Sequence, residues 1–70
     1  YTTKLFKEGS DRIIQKVGEE ATEVIIAAKN KSKQQIIYES ADLLYHLIVM
    51  LANNELSITD VVKELESRHK

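Results

Sequence analysis

The sequence predicts an all-α fold, an antiparallel helical bundle that homodimerisation completes. Its 70 residues include no Pro and two Gly, so few positions interrupt a helix. Apolar residues recur at helical spacing in three segments, and short polar links separate these segments. Short links make consecutive helices antiparallel neighbours. A chain of this length forms one domain, which spans residues 1–70.

The composition argues against two classes of partner. Ten basic residues against 11 acidic ones give a net charge of −1, whereas a nucleic-acid-binding protein carries a basic excess. No run of about 18 apolar residues predicts a membrane span, so we expect neither nucleic acid nor a membrane as a partner. The absence of Cys excludes disulfides and fits a reducing, cytoplasmic location.

The part of the chain before residue 30 predicts one long helix. Residues 1–8 are predicted to form a short helix or turn, and Gly9 interrupts the pattern so that Ser10 can cap the next helix. That helix covers residues 11–29. Its apolar residues form a wide core-facing stripe and are Ile13, Ile14, Val17, Ala21, Val24, Ile25 and Ala28.

The second helix, predicted over residues 34–53, is apolar on nearly every side. Ser32 and Gln35 have the spacing of a capping box at its start. One small chain cannot bury such a helix on all sides, so we expect a second copy in a two-fold dimer. Leu47 should lie in the core and Val49 at the dimer interface. The expected inward residues are Ile36, Ser40, Leu43, Leu44, Leu47 and Leu51.

A third helix is predicted to begin at Ser57, which has Asp60 at the capping-box spacing, and to end near Arg68. Its expected inward residues are Ile58, Val61, Val62 and Leu65.

Two acidic pairs on neighbouring helices are the strongest functional signal. Glu20 and Glu23 are three residues apart, as are Glu39 and Asp42, and residues at that spacing share one helix face. In an antiparallel hairpin the four carboxylates can converge, and they then repel one another unless a cation lies between them. Ligand sets made only of oxygen favour Mg²⁺, with Mn²⁺ as an alternative. Asp42 is the most unusual of the four, because the segment around it is apolar.

Plainer interpretations stay open beside this one. Each carboxylate taken singly is an ordinary surface charge, and Lys16 with Glu20 has the spacing of an i,i+4 ion pair. A helical dimerisation module with solvated acidic clusters would show the same pattern. Glu66 and His69 give one copy of the pair that di-iron bundles need twice. His46 is a metal-site neighbour, a substrate contact or a hydrogen-bonded core histidine.

A Mg²⁺ site beside basic residues suggests phosphate chemistry. Mg²⁺ keeps coordination positions for phosphate oxygens and water, and it makes a bound water more acidic. Lys16, Arg12 and Lys4 can bind phosphate oxygens. A phosphoanhydride hydrolase follows as the hypothesis.

The motif pair Glu20-x-x-Glu23 and Glu39-x-x-Asp42 resembles the signature of the all-α nucleoside-triphosphate pyrophosphohydrolases, the MazG-like superfamily. The words YTTKLF, QKVGEEATEV, ESADLLYHLIVML and ELESRHK are similar to the phosphoribosyl-ATP pyrophosphatase family, over nearly the whole chain. The resemblance implies Mg²⁺-dependent hydrolysis of 1-(5-phosphoribosyl)-ATP to phosphoribosyl-AMP and pyrophosphate, the second step of histidine biosynthesis. A house-cleaning enzyme that acts on ordinary nucleoside triphosphates is the close rival.

The resemblance also implies roles for single residues and a partner. Glu20, Glu23, Glu39 and Asp42 match the metal motif, Glu19 would be a further ligand or a base for water, and Lys16 would contact phosphate. The family forms homodimers with the active site near the interface. Its members carry a helix before the YT segment, and some are halves of a fusion with phosphoribosyl-AMP cyclohydrolase. We therefore expect that this chain lacks that helix or comes from such a fusion.

Overall fold

A computed structural model describes residues 9–69, and within them it contains three α-helices and no strand. Helix α1 is Ser10–Lys29, α2 is Lys33–Asn53 and α3 is Ile58–Arg68. The all-α prediction is confirmed, and α2 and α3 begin and end within about one residue of the predicted limits. The expected turn or helix at residues 1–8 lies outside the described residues, and so does Lys4. No described helix is long and apolar enough to cross a bilayer.

Local hydrogen bonds explain where the helices start. The backbone N–H of Gln35 donates to Ser32 Oγ over 3.3 Å, and the backbone N–H of Ser57 donates to the Asp60 carboxylate over 2.9 Å. The capping box predicted at Ser57 and Asp60 is therefore confirmed, whereas at Ser32 only the bond from the Gln35 backbone N–H forms and the Gln35 side chain does not return one. Capping of α1 by Ser10 is wrong, because Gly9 holds that position. Gly9 has φ 93°, a conformation that glycine adopts without steric cost, so the helix begins one residue earlier.

Antiparallel packing of α1 against α2 makes the core. Ile13 of α1 is only 1% exposed and packs against Val49 of α2, with Met50 beside them. At the same end of the hairpin the Asn53 side-chain amide donates to Ser10 Oγ over 3.0 Å. The placement of Val49 at a dimer interface is wrong, since Val49 is 5% exposed and lies in the core. Leu47, which was predicted as core, is half-buried.

Several residues that were predicted to face inward are exposed instead. Ala28, Ser40 and Leu44 lie at the surface of the chain. On α3, Val62 and Leu65 are also exposed, because α3 makes few contacts with the other two helices and buries no residue. Ile14 and Ile25 of α1, which were also predicted to face inward, are 55% and 58% exposed, and α2 carries an exposed apolar stripe as well. We call these residues the outer apolar face: Ile14, Ile25, Ile37, Leu44 and Ile48.

Candidate metal centre

Three carboxylates from two helices converge near the middle of the hairpin. One oxygen each from Glu20 of α1 and from Glu39 and Asp42 of α2 lie within 4.8 Å of one another. All three residues are half-buried. Glu39 and Asp42 share a face because they are three residues apart, and the short link at residues 30–32 brings that face against α1. We call these three residues the carboxylate cluster. All its ligand atoms are carboxylate oxygens that lie close enough together to bind one ion. The three residues therefore fit a hard divalent cation.

Glu23, the fourth predicted ligand, lies beside the carboxylate cluster but is not part of it. Its side chain is exposed one turn after Glu20. It lines the same cavity as Glu39, so the two carboxylates face a common space. The structure thus brings three of the four predicted ligands together and places Glu23 at the margin.

The surroundings of Glu39 raise its pKa. Partial burial raises the pKa of Glu39 above its ordinary value of 4.5, and the negative charges of Glu23, Asp42 and Glu20 raise that pKa further. Loss of water and like charges both penalise the ionised form. A cation held between these carboxylates would relieve the same repulsion.

Basic side chains lie on α1 just before the carboxylate cluster. Arg12 Nη1 and Lys16 Nζ each lie 3.8 Å from Glu19 Oε1, and the Gln15 side-chain amide donates to Glu19 Oε2 over 3.3 Å. The sequence spacing suggested that Lys16 pairs with Glu20. In the structure Lys16 pairs with Glu19 instead. Glu19 is half exposed and lies outside the carboxylate cluster. Its carboxylate lies between the basic side chains of Arg12 and Lys16.

His46 is a hydrogen-bonded core residue one turn after Asp42. It is 6% exposed, and its Nδ1 lies 2.8 Å from the backbone carbonyl oxygen of Asp42. A carbonyl oxygen only accepts, so Nδ1 carries the proton. The Tyr45 ring meets the imidazole edge to face, with centroids 5.2 Å apart. The hydrogen bond from His46 Nδ1 helps to fix the position of the Asp42 backbone. A substrate contact of His46 stays a prediction.

A cavity of about 200 Å³ extends from the carboxylate cluster to the α1–α2 turn. Its walls combine two carboxylates, two apolar residues and three neutral polar residues: Glu23, Glu39, Ile26, Ala27, Asn30, Ser32 and Gln35. No sequence motif marks Asn30 or Gln35 as a functional residue. Their spacing around a helix turn carries no chemical signature, so only the fold brings them to the metal centre.

Comparison with known proteins agrees with this geometry. A family model described as phosphoribosyl-ATP pyrophosphohydrolase matches residues 1–69. The chain belongs to the phosphoribosyl-ATP pyrophosphohydrolase family. The resemblance to this family, which the longer sequence words carried, is thereby confirmed.

Relatives within the phosphoribosyl-ATP pyrophosphohydrolase family are of two sizes. A phosphoribosyl-ATP pyrophosphatase of Leptospira biflexa is 54% identical over 69 residues, which cover 99% of this chain and 75% of the relative. The histidine biosynthesis bifunctional protein HisIE of Bacillus subtilis is 56% identical over 69 residues, covering 99% of this chain and 33% of the relative. The HisIE protein of Caldanaerobacter subterraneus is 54% identical over all 70 residues, covering 34% of its own length. The chain thus spans about a third of the bifunctional relatives.

The raised pKa of Glu39 predicts how the metal-free protein responds to pH. Ionised Glu39 is less favourable in the folded than in the unfolded chain, so it lowers the free energy of unfolding above its folded pKa. As the pH falls through that pKa towards 4.5, Glu39 binds a proton and the penalty disappears. We expect Glu39→Gln to be more stable than the unmodified protein at pH 7 in EDTA, with a gain that shrinks at pH 4.

Urea unfolding at both pH values measures this gain. Glu66→Gln on α3 removes one negative charge away from the carboxylate cluster and is the matched control. A Glu39→Gln protein that is less stable at pH 7, or a gain independent of pH, would contradict the repulsion inferred here.

Proposed function

We propose that this chain hydrolyses 1-(5-phosphoribosyl)-ATP to phosphoribosyl-AMP and pyrophosphate with Mg²⁺, as the second step of L-histidine biosynthesis. Mn²⁺ is the alternative ion. The observation that carries the proposal is the convergence of Glu20, Glu39 and Asp42. Membership of the phosphoribosyl-ATP pyrophosphohydrolase family and the name of the Leptospira relative support the substrate.

The acidic and basic side chains have different proposed roles in this hydrolysis. Hydrolysis consumes one water and breaks the phosphoanhydride bond between the α and β phosphates. Glu20, Glu39 and Asp42 would hold the cation, with Glu23 as a further ligand. The bound ion neutralises phosphate charge and acidifies water. Lys16 and Arg12 bind phosphate oxygens, and Lys4 is proposed for the same role. Glu19 aligns Arg12 and Lys16, to which it is already paired.

Pyrophosphate release tests the proposed function. We expect the protein to release pyrophosphate from phosphoribosyl-ATP in Mg²⁺ and to stop in excess EDTA, because the carboxylate cluster alone cannot neutralise the triphosphate. Release that persists in EDTA would reject the metal dependence. Equal or faster release from ATP or dCTP would reject the substrate in favour of a house-cleaning enzyme. No release, with no effect of Mg²⁺ on stability, would favour a helical dimerisation module.

A homodimer is part of the proposal, and the outer apolar face supports it. Successive residues on a helix turn by about 100°, so residues two apart point to nearly opposite sides. Ile25 follows Glu23 by two positions and Leu44 follows Asp42 by two positions. The outer apolar face therefore lies on the side of the hairpin away from these carboxylates. A second copy packed there would contact α2 behind Glu39 and Asp42, so the interface and the metal centre would share one helix.

The bifunctional relatives suggest a further partner. We propose that phosphoribosyl-AMP cyclohydrolase, the enzyme that would use the product, acts in the same protein or close to it. The support is that the chain matches about a third of the length of each of the HisIE proteins from two organisms.

A further inference from the structure

The cavity at the α1–α2 turn differs in character from the rest of the candidate metal centre. Among residues 9–69, no Lys, Arg or His lines it. One wall is formed by Glu39 of the carboxylate cluster and by Glu23 beside it. Ile26 and Ala27 give an apolar surface, and Asn30 and Gln35 give side-chain amides. A phosphate group would be repelled by the carboxylates and would find no cationic side chain among the described lining residues. The occupant that fits is a group without negative charge that has hydrogen-bonding edges and an apolar face.

The two ends of the centre differ in the side chains that line them. Lys16 precedes Glu20 by one turn, about 6 Å along the helix axis. The cavity begins at Glu23 and continues beyond the end of α1 to Ser32 and Gln35. A molecule that lies along the hairpin therefore meets cationic side chains at one end and the carboxylate cluster in the middle. At the other end it meets the part of the cavity that Asn30, Ser32 and Gln35 line.

Two amides in the cavity are available for a ligand. Asn30 and Gln35 are exposed at the surface, and no hydrogen bond engages either side-chain amide within the described residues. Asn and Gln side chains pair in two-point fashion with the N6 and N7 edge of adenine. In 1-(5-phosphoribosyl)-ATP the second ribose occupies N1, so the edge with N6 and N7 stays free. The cavity of about 200 Å³ is smaller than the roughly 300–1,000 Å³ of sites for whole drug-sized ligands, so it suits one ring system.

We propose that this cavity is the subsite for the adenine base of the substrate, with Gln35 and Asn30 reading the edge of the ring and Ile26 packing on its face. The β and γ phosphates then extend from the carboxylate cluster towards Lys16 and Arg12. This inference rests on the proposed function, which supplies the substrate. It adds an orientation of the substrate along α1 and two residues that determine specificity.

Gln35→Leu tests the subsite, because it keeps the side-chain size and removes the amide. Turnover is compared on phosphoribosyl-ATP and on methyl triphosphate, which has the same phosphoanhydride bond but no base. We expect kcat/KM for phosphoribosyl-ATP to fall about tenfold more than kcat/KM for methyl triphosphate. Asn30→Ala should act in the same direction. The matched control is Gln34→Leu, the neighbouring exposed glutamine outside the cavity, which should leave the ratio of the two substrates unchanged.

A binding measurement separates failure of the subsite from failure of the proposed function. Adenosine, which has no phosphate, is titrated into the isotopically labelled protein and followed by NMR. The expected result is a shift of the backbone amides of Asn30, Ser32 and Gln35 that Gln35→Leu abolishes. If those amides shift but phosphoribosyl-ATP is not hydrolysed, the base subsite stands and the proposed function is rejected. Shifts confined to other residues, or equal losses on both substrates, would overturn the subsite.

Discussion

Replacing Glu20 by glutamine is expected to lower the turnover of phosphoribosyl-ATP by about 100-fold or more. Glu20 is the α1 contribution to the carboxylate cluster, and an amide is a poor substitute for a carboxylate at a hard divalent cation. A bound metal contributes several kcal/mol of transition-state stabilisation. Loss of about 3 kcal/mol of it corresponds to about 100-fold in rate. The change should also weaken Mg²⁺ binding.

Two measurements and one control define this experiment. Steady-state kinetics gives the turnover, and isothermal titration gives the Mg²⁺ affinity of the same preparation. Glu66→Gln controls for the loss of a negative charge. Turnover within about twofold of the unmodified protein would remove Glu20 from the metal centre. Lost turnover with unchanged Mg²⁺ affinity would give Glu20 a role other than ligand.

The second large effect is expected in the core, where Val49→Asp should unfold the chain. Val49 is 5% exposed and packs on Ile13, so an aspartate there would be buried without a partner. An uncompensated buried charge costs about 3–5 kcal/mol, a large share of the roughly 5–15 kcal/mol that stabilises a folded protein. Circular dichroism should show loss of helix at 25 °C.

Leu44→Asp is the matched comparison on the same helix. Leu44 is 51% exposed on the outer apolar face, so the aspartate stays in water in a single chain. We expect it to keep its helical signal and to shift the protein towards monomer in sedimentation. A folded, monomeric Val49→Asp protein would instead restore Val49 to the interface.

Val49 was predicted at the dimer interface and lies in the core, whereas Leu47 was predicted in the core and is half-buried. These two residues show which features of the fold a sequence pattern does not determine. Caps depend on residues three positions apart, so Ser32 with Gln35 and Ser57 with Asp60 could be identified directly. The inward side of α2 depends on its neighbour, and a helix that is apolar nearly all round does not indicate which side faces α1. The exposed Val62 and Leu65 have the same cause. Amphipathicity indicates that a helix face favours burial but not what covers it.

The candidate metal centre follows the same division. The spacing within each acidic pair and the short link were enough to predict that carboxylates from two helices converge, as Glu20, Glu39 and Asp42 do. Finer details depend on side-chain conformations. Lys16 has Glu19 and Glu20 as neighbours at three and four residues, and only the structure shows that it pairs with Glu19. The exposed position of Glu23 is a detail of the same kind.

The location of the whole carboxylate cluster within one helical hairpin has a consequence for folding. Its residues come from α1 and α2, which a link of three residues joins. Closing so short a loop costs little chain entropy, and proteins dominated by local contacts fold quickly. The ligands should therefore assemble in one early step that does not wait for distant parts of a longer chain. A catalytic unit built this way can be joined to another enzyme without rearrangement, as expected of a segment found both in a pyrophosphatase and in bifunctional proteins.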